Sequence, residues 1–136
     1  DAPGCLVPFT IAHEMAHQRG VHSEDEANFS GIAACVTSNI TVYEYSGYLS
    51  GLMYLSSALN EADPAAAQAI LAGLSEEVRQ DWADNNLYWS EHETAATEAV
   101  TAVYDSYLKS NGEELGVSSY GDCVDLLVTW YDAREA

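Results

Sequence analysis

Apolar and polar positions along this chain recur mostly with a helical period. The clearest case lies between Tyr45 and Leu59, where apolar side chains stand at positions 48, 52, 55 and 59, a spacing that puts them on one helix face. Alternation typical of a strand occurs only briefly, over 40–45. The pattern predicts helices over 9–19, 25–37, 45–59, 64–71, 76–89 and 93–110, and a last one after 119. We therefore expect an all-α fold, a compact multi-helix domain.

Residues that start and stop helices agree with these boundaries. Gly20 follows the first predicted helix, and Gly73 follows the fourth, each at a position where glycine commonly ends a helix. Asp63 and Pro64 form a typical start, with aspartate as N-cap and proline in the first turn. The tryptophans at 82, 89 and 130 fall in amphipathic segments, which predicts that all three are core residues.

The length and composition indicate one folded domain. The 136 residues, 48% of them hydrophobic, suffice for one packed core, which we place over residues 1–136. No apolar run approaches the roughly 18–20 residues that a membrane-spanning helix needs. The chain begins with Asp1, so we expect a processed product or an excised fragment whose signal or membrane anchor lies outside these residues.

The charge is strongly one-sided, with 22 acidic and 4 basic residues and a formal net charge of −18. This balance argues against nucleic acid as a partner, because phosphate binding needs clustered lysine and arginine. It argues equally against an anionic membrane surface. The acidic residues are scattered, which favours a role in solubility, although attraction of cationic substrates is the sharper alternative.

The cysteines, Cys5, Cys35 and Cys123, are too far apart in sequence to form a Cys-x-x-Cys metal motif. One disulfide with a free thiol and three buried thiols explain the count equally well. The cysteines therefore do not identify the compartment.

The segment from Thr10 to Gln18 contains the motif His13-Glu14-x-x-His17. Histidines at i and i+4 lie on one face of a helix, so both imidazoles can bind one metal ion. Glu14 can accept a proton from a water molecule that Zn²⁺ has acidified. The alternative is a surface helix with an incidental pair of histidines. The uncharged flanks argue against it, because buried histidine and glutamate cost several kcal/mol without a partner.

A catalytic zinc site needs a third protein ligand, and three candidates follow the motif. The longer metzincin motif would place a histidine at position 23, which is Ser23. Glu26 shares a predicted helix face with the apolar positions 29, 33 and 36, so its carboxylate would need a cation there. Glu24 aligns instead with positions 28, 31 and 35. We therefore predict Glu26 as the third ligand, with Glu24 and His22 as alternatives.

Two resemblances accompany these residues. The motif followed by Glu26-Ala27-Asn28 resembles the gluzincin pattern of phage-repressor-cleaving metallopeptidases, in which the glutamate of a Glu-Ala-Asn run is the third ligand. The strings PFTIAHEMAHQRGVHSEDEANF (8–29), YSGYL (45–49) and SYG-x-x-VDLL (119–127) are similar to an uncharacterised bacterial family. Its members have several N-terminal membrane spans and an HExxH domain near the C-terminus. The resemblance implies a location on the extracytoplasmic face of a bacterial membrane, with the membrane contacted only through segments outside these residues.

Hydrolysis also needs a group that stabilises the oxyanion, often tyrosine, histidine or arginine. Among nine tyrosines, Tyr120 is our first candidate because it stands between a serine and a glycine at the start of the last predicted helix. Tyr48, Tyr45 and His22 are the alternatives. A packing role is the simpler interpretation of each tyrosine.

The sequence thus predicts a zinc metallopeptidase of gluzincin-like type. Its metal ligands would be His13, His17 and Glu26, its catalytic residues Glu14 and Tyr120, and its substrate a peptide or protein that is cationic if the charge steers binding. Two alternatives stay open. One is a non-catalytic, zinc-stabilised module that binds a partner or senses a ligand, and the other is a hydrolase of cell-wall amides using the same site.

Overall fold

The computed structural model describes residues 3–92, 102–103 and 121–135. A 3-10 turn, Gly4–Leu6, leads into helix α1. The longer helices are α1 (Val7–Gln18), α2 (Glu24–Val36), α3 (Thr41–Ala62), α4 (Pro64–Ala72), α5 (Glu76–His92) and α6 (Gly121–Glu135). The all-α prediction is confirmed, since the described residues contain helices and no strand. The predicted helix over 93–110 lies outside the described residues, apart from positions 102–103, which are helical.

The brief alternation over 40–45 does not form a strand. Helix α3 begins at Thr41, four residues before the predicted start. The turn before it passes through Asn39, whose φ of 60° is left-handed, a conformation that asparagine adopts more readily than most residues. Helical hydrogen bonds to the Ile40 carbonyl from Tyr43 and Glu44 continue from this turn. Six residues of alternation are too short a signal to compete with a helix of 22 residues.

Helix α2 is the centre of the fold, because α1, α3 and α6 all pack against it. Its Ile32 and Val36 form the buried core with Cys123 and Leu127 of α6. Partly buried side chains surround this cluster, among them Phe9, Phe29, Tyr54, Leu55, Trp130 and Tyr131. The C-terminal helix therefore supports the same helix that meets the histidine motif on its other side.

Two glycines allow the helices to approach this closely. A Cβ atom at Gly31 of α2 would lie 3.1 Å from the backbone nitrogen of His13 in α1. A Cβ atom at Gly47 of α3 would lie 2.8 Å from the Cβ of Cys35 and 2.9 Å from Cγ2 of Val36. Small residues at such contacts let helix backbones come together with little void space.

The buried face of α3 differs from the predicted apolar stripe for this reason. Its buried residues are mostly small ones, Ser46, Gly47, Ser50, Gly51 and Ser56, and Leu49 is the one large side chain among them. Tyr48, a member of the predicted stripe, has 49% of its surface exposed. Trp89 is likewise exposed, so its prediction as a core residue was wrong, whereas Trp130 packs against the core.

At the N-termini of two helices, a backbone N–H group donates a hydrogen bond to a side chain of a neighbouring helix. The first N–H groups of a helix have no partner within it, and α1 has no side-chain cap of its own. The backbone N–H of Phe9 instead donates to Ser46 Oγ of α3 at 3.0 Å. At α6, the backbone N–H of Cys123 donates to Oδ1 of Asp25, a residue of α2 that is 1% exposed. These bonds fix α1 and α6 in position against the two central helices.

The remaining sequence predictions concern thiols and membranes. All three cysteines are free thiols, and burial raises the pKa of Cys123 to about 12, with the nearby Asp25 adding to the effect. Among the described residues, no helix has both the length and the apolar character needed to cross a bilayer.

The glycine contacts generate a prediction for two positions on α3. Gly47→Ala should lower the free energy of unfolding by about 1–3 kcal/mol, because its Cβ overlaps α2. Gly51→Ala, one turn along the same helix and also buried, meets its nearest side-chain atom at an ordinary 3.6 Å. It should be neutral or stabilising by up to about 1 kcal/mol, because alanine has the higher helix propensity. Urea unfolding of both variants measures the difference, and equal effects would contradict the proposed close contact of α2 and α3.

Candidate metal centre

The first two members of the site come from one turn of α1. His13 and His17 are four residues apart, and their Nε2 atoms are 3.1 Å from each other. Their rings meet edge to face with centroids 4.7 Å apart. The predicted juxtaposition of the two imidazoles is present in the structure, as helix geometry requires.

The turn that ends α1 orients the second histidine. Gly20 has a φ of +99°, which favours glycine. Its N–H donates to the His17 carbonyl, and the N–H of Val21 donates to the Ala16 carbonyl, the pair of bonds that defines a Schellman motif. This turn brings the Val21 carbonyl oxygen to 2.7 Å from Nδ1 of His17. A proton on Nδ1 donated to that oxygen leaves the lone pair of Nε2 free for a metal ion.

The third member comes from the first turn of α2. Ser23 is the N-cap and accepts a hydrogen bond from the Glu26 backbone, so that Glu24 is the first helical residue. Its Oε1 lies 3.0 Å from Nε2 of His17, and its Oε2 lies 3.3 Å from Nε2 of His13. Among the described residues, this trio is the only group of three metal-binding side chains whose ligand atoms all lie within 4.8 Å of one another.

These distances suit a small tetrahedral ion. Zinc bonds of about 2.0–2.2 Å to nitrogen and oxygen place neighbouring ligand atoms about 3.3–3.5 Å apart in a tetrahedron. The two Nε2 atoms are 3.1 Å apart, and each lies 3.0–3.3 Å from one oxygen of the Glu24 carboxylate, Oε1 for His17 and Oε2 for His13, close to that edge length. Two imidazoles and one carboxylate are also the protein ligands of several catalytic zinc sites. The residues present therefore fit the metal.

The carboxylate in this trio is mostly buried and has the two imidazoles as partners. Only 13% of the Glu24 side chain is exposed, and a partly buried carboxylate without a cation is costly. The hydrogen bond between Glu24 and His13 raises the pKa of His13, and burial of the ring opposes this shift. The charges of Glu24 and Glu14 and hydrogen bonding with Asn28 raise the pKa further. Without metal, the resulting stabilisation is present below the unfolded pKa and is lost as the pH rises through the higher folded value. A metal ion would replace the proton as the partner of Glu24.

The other nitrogen of His13 faces the protein interior. This Nδ1 is buried and makes no hydrogen bond of normal geometry within the described part of the chain. Asn28, which is 3% exposed, acts on the same imidazole and helps to raise its pKa.

Glu14 lies at the edge of the trio and does not belong to it. Its Oε1 is 4.0 Å from Nε2 of His13, and 66% of its side chain is exposed. The carboxylate of Glu14 is therefore open to solvent and also lies beside the His13 imidazole. This position agrees with that expected of a base beside the metal.

The structure brings Glu24, and not the predicted Glu26, to the two histidines. Glu26 is exposed and stands outside the trio, whereas Glu24, the predicted alternative, joins the histidines. The apolar stripe used to select Glu26 packs elsewhere, since Phe29 stacks edge to face on Trp130 of α6. His22, the other alternative, is exposed and is not in the trio.

The predicted oxyanion-stabilising residues are not brought to the trio in the described structure. Tyr120 lies outside the described residues. The hydroxyl of Tyr45 donates a short hydrogen bond to Asp81 of α5, and burial together with that bond raises its pKa. Tyr48 is half exposed.

Sequence reasoning missed two groups that support the site, the Val21 carbonyl and the Asn28 side chain. A backbone carbonyl leaves no sequence signal of its own, although Gly20 marks the turn that orients it. Asn28 did carry a signal, because it lies in register with Glu24 and Gly31 on α2.

Comparison with known proteins places the chain in a family without giving a function. No curated protein matches the chain, and no solved structure matches it. A family model described as a protein of unknown function, DUF3810, matches residues 1–128. Because this match covers nearly all of the sequence, the chain belongs to the DUF3810 family.

Proposed function

We propose that this chain is a zinc-dependent hydrolase that cleaves peptide bonds, with His13, His17 and Glu24 as the metal ligands. The observation that carries the proposal is the convergence of these three donors, with separations of 3.0–3.3 Å, beside the exposed carboxylate of Glu14. Three protein ligands leave a tetrahedral ion one position for water or substrate, which is the arrangement of catalytic zinc sites.

The roles of the residues follow from their positions. When bound, Zn²⁺ lowers the pKa of water to near neutrality and polarises a carbonyl group. Glu14 accepts the proton of the attacking water and returns it to the leaving amine, which requires the carboxylate to be ionised and mobile. Its exposure leaves the side chain free to move between these two positions. Val21 keeps the ring of His17 in the metal-binding tautomer through the contact at Nδ1.

The charge of the chain favours a cationic substrate. A net charge of −18 raises the local concentration of positively charged peptides, and salt screens this effect. Two exposed carboxylates lie within two residues of a member of the trio in sequence: Glu14 beside His13, and Glu26 after Glu24. From the family resemblance we further propose that the reaction occurs on the extracytoplasmic face of a bacterial membrane.

The ligand assignment predicts different effects for two neighbouring glutamates. Glu24→Ala should weaken zinc binding by at least about 100-fold, more than is typical when a residue behind a ligand is lost. Glu26→Ala should leave zinc affinity close to that of the unmodified chain, because its side chain is exposed. Competition with a chromophoric chelator measures both affinities. A larger loss from Glu26→Ala than from Glu24→Ala would contradict the assignment.

The role of Glu14 predicts a variant that binds metal but does not turn over. Glu14→Gln should retain one zinc per chain and an unchanged melting temperature, because Glu14 is exposed and is not a ligand. Its kcat for peptide hydrolysis should fall by about 10²- to 10⁴-fold, the usual contribution of a general base. Glu26→Gln, an equally conservative change at another exposed carboxylate, is the matched control and should keep full activity.

The assay uses casein, short cationic and neutral peptides, and peptidoglycan fragments, each at low and high salt. Hydrolysis that persists undiminished in Glu14→Gln would mean that another site is responsible. Stoichiometric zinc without hydrolysis of any of these substrates by the unmodified chain would indicate a structural or sensing site instead.

A further inference from the structure

The inference concerns the helix face that supports the histidine ligands and rests on the proposed metal centre. Glu24, Asn28 and Gly31 follow one another at spacings of four and three residues on α2, which places them on one face. At one end of this face Glu24 meets the Nε2 atoms of His13 and His17. At the other end Gly31 approaches the backbone of His13. Asn28 therefore lies between two fixed contacts with α1.

The burial of Asn28 needs an explanation that packing alone does not give. Its side chain is 3% exposed, and buried amides normally have hydrogen-bond partners, because an unmet amide costs about 1–3 kcal/mol. On the opposite side of the interface, Nδ1 of His13 is buried and lacks a bond of normal geometry within the described residues. Asn28 interacts with this ring. The buried Nδ1 of His13 and the buried amide of Asn28 thus lie at the same interface between α1 and α2.

The chemistry of the ring decides which atom donates. A histidine that binds metal through Nε2 carries its proton on Nδ1, and this N–H needs an acceptor. The Oδ1 atom of the Asn28 amide is such an acceptor. His17 has its counterpart in the Val21 carbonyl, at 2.7 Å from Nδ1.

We propose that Asn28 is the positioning residue of the metal centre: its Oδ1 accepts the Nδ1 proton of His13 and so holds Nε2 towards the ion and Glu24. The bond belongs to the tautomer of His13 that would bind an ion through Nε2. Asn28 does not touch the metal or the substrate. Its effect is on the tautomer and orientation of one ligand.

Three variants test this role. Asn28→Ala removes the acceptor and should weaken zinc binding by about 10- to 100-fold. Asn28→Asp keeps an acceptor oxygen of the same size and position, and should rescue zinc binding to within about threefold of the unmodified chain, since carboxylates are common partners of ligand histidines. Ser50→Ala is the matched control, because Ser50 of α3 is buried to the same extent and its Oγ has no bond among the described residues. It should leave zinc affinity unchanged.

A purely structural role of Asn28 predicts a different pattern. It would lower the melting temperature of the metal-free and zinc-loaded chains equally, so that the rise in stability produced by zinc would not change. The positioning role predicts that this rise is smaller in Asn28→Ala and restored in Asn28→Asp. Equal zinc affinity of Asn28→Ala and the unmodified chain, or failure of Asn28→Asp to rescue, would overturn the proposal.

Nitrogen-15 NMR of the unmodified, zinc-loaded chain gives an independent test if Asn28→Ala does not fold. The proposal predicts that Nδ1 of His13 carries a proton that exchanges slowly with water, and the contact with the Val21 carbonyl predicts the same of Nδ1 of His17. An unprotonated or rapidly exchanging Nδ1 on His13 would overturn it. Absence of zinc binding by the unmodified chain would instead refute the proposed function itself, whereas zinc binding that is indifferent to Asn28 refutes this inference alone.

Discussion

The close approach of α1 and α2 at Gly31 is the contact on which the rest of the structure depends. With glycine at this position, the backbone of His13 lies against α2 at a distance that leaves little room for a side chain. A larger residue there would push the helices apart, and the contact between Glu24 and the two imidazoles would lengthen with them. Packing density and the geometry of the trio are therefore set by one small residue, seven positions along α2 from the carboxylate.

The support for this contact comes from the other side of α2. Ile32 and Val36 join α6 through Cys123 and Leu127, and Asp25 binds the backbone of Cys123. Asp25 is the immediate neighbour of Glu24, so that the ligand stands in a helical turn whose next residue is fixed to α6. We infer that docking of the C-terminal helix restricts the motion of the Glu24 backbone. A rigid ligand loses less conformational entropy when it binds the ion.

The parts of this arrangement that sequence reasoning predicted are the local ones. The helical period predicts the helices, and the spacing of His13 and His17 brings their rings together within a single turn. The third ligand depends on how α2 is rotated against α1, which a single helix cannot reveal. An apolar stripe indicates that a face is buried but not which neighbour buries it, and the stripe with Phe29 faces α6. The small residue Gly31 marks the face that meets α1.

The same limit explains the misjudged face of α3. There the large side chains suggested a buried stripe, whereas the closest contact is made by Gly47 against Cys35 and Val36. A hydrophobic pattern is dominated by large apolar side chains, whereas helices that pack at short range have small residues at the contact. Both wrong predictions concern which face of a helix packs against its neighbour, and in both cases a glycine, Gly31 or Gly47, marks that face.

The central claim is that two imidazoles and one carboxylate of this chain hold a single zinc ion. X-ray absorption at the zinc edge, on the chain loaded with one equivalent, tests this claim most directly. The account predicts a four-coordinate shell of nitrogen and oxygen atoms at about 2.0–2.1 Å, with the multiple scattering of two imidazoles. A shell containing sulfur at about 2.3 Å, the signature of cysteine ligands, or a zinc ion without imidazole scattering would contradict it.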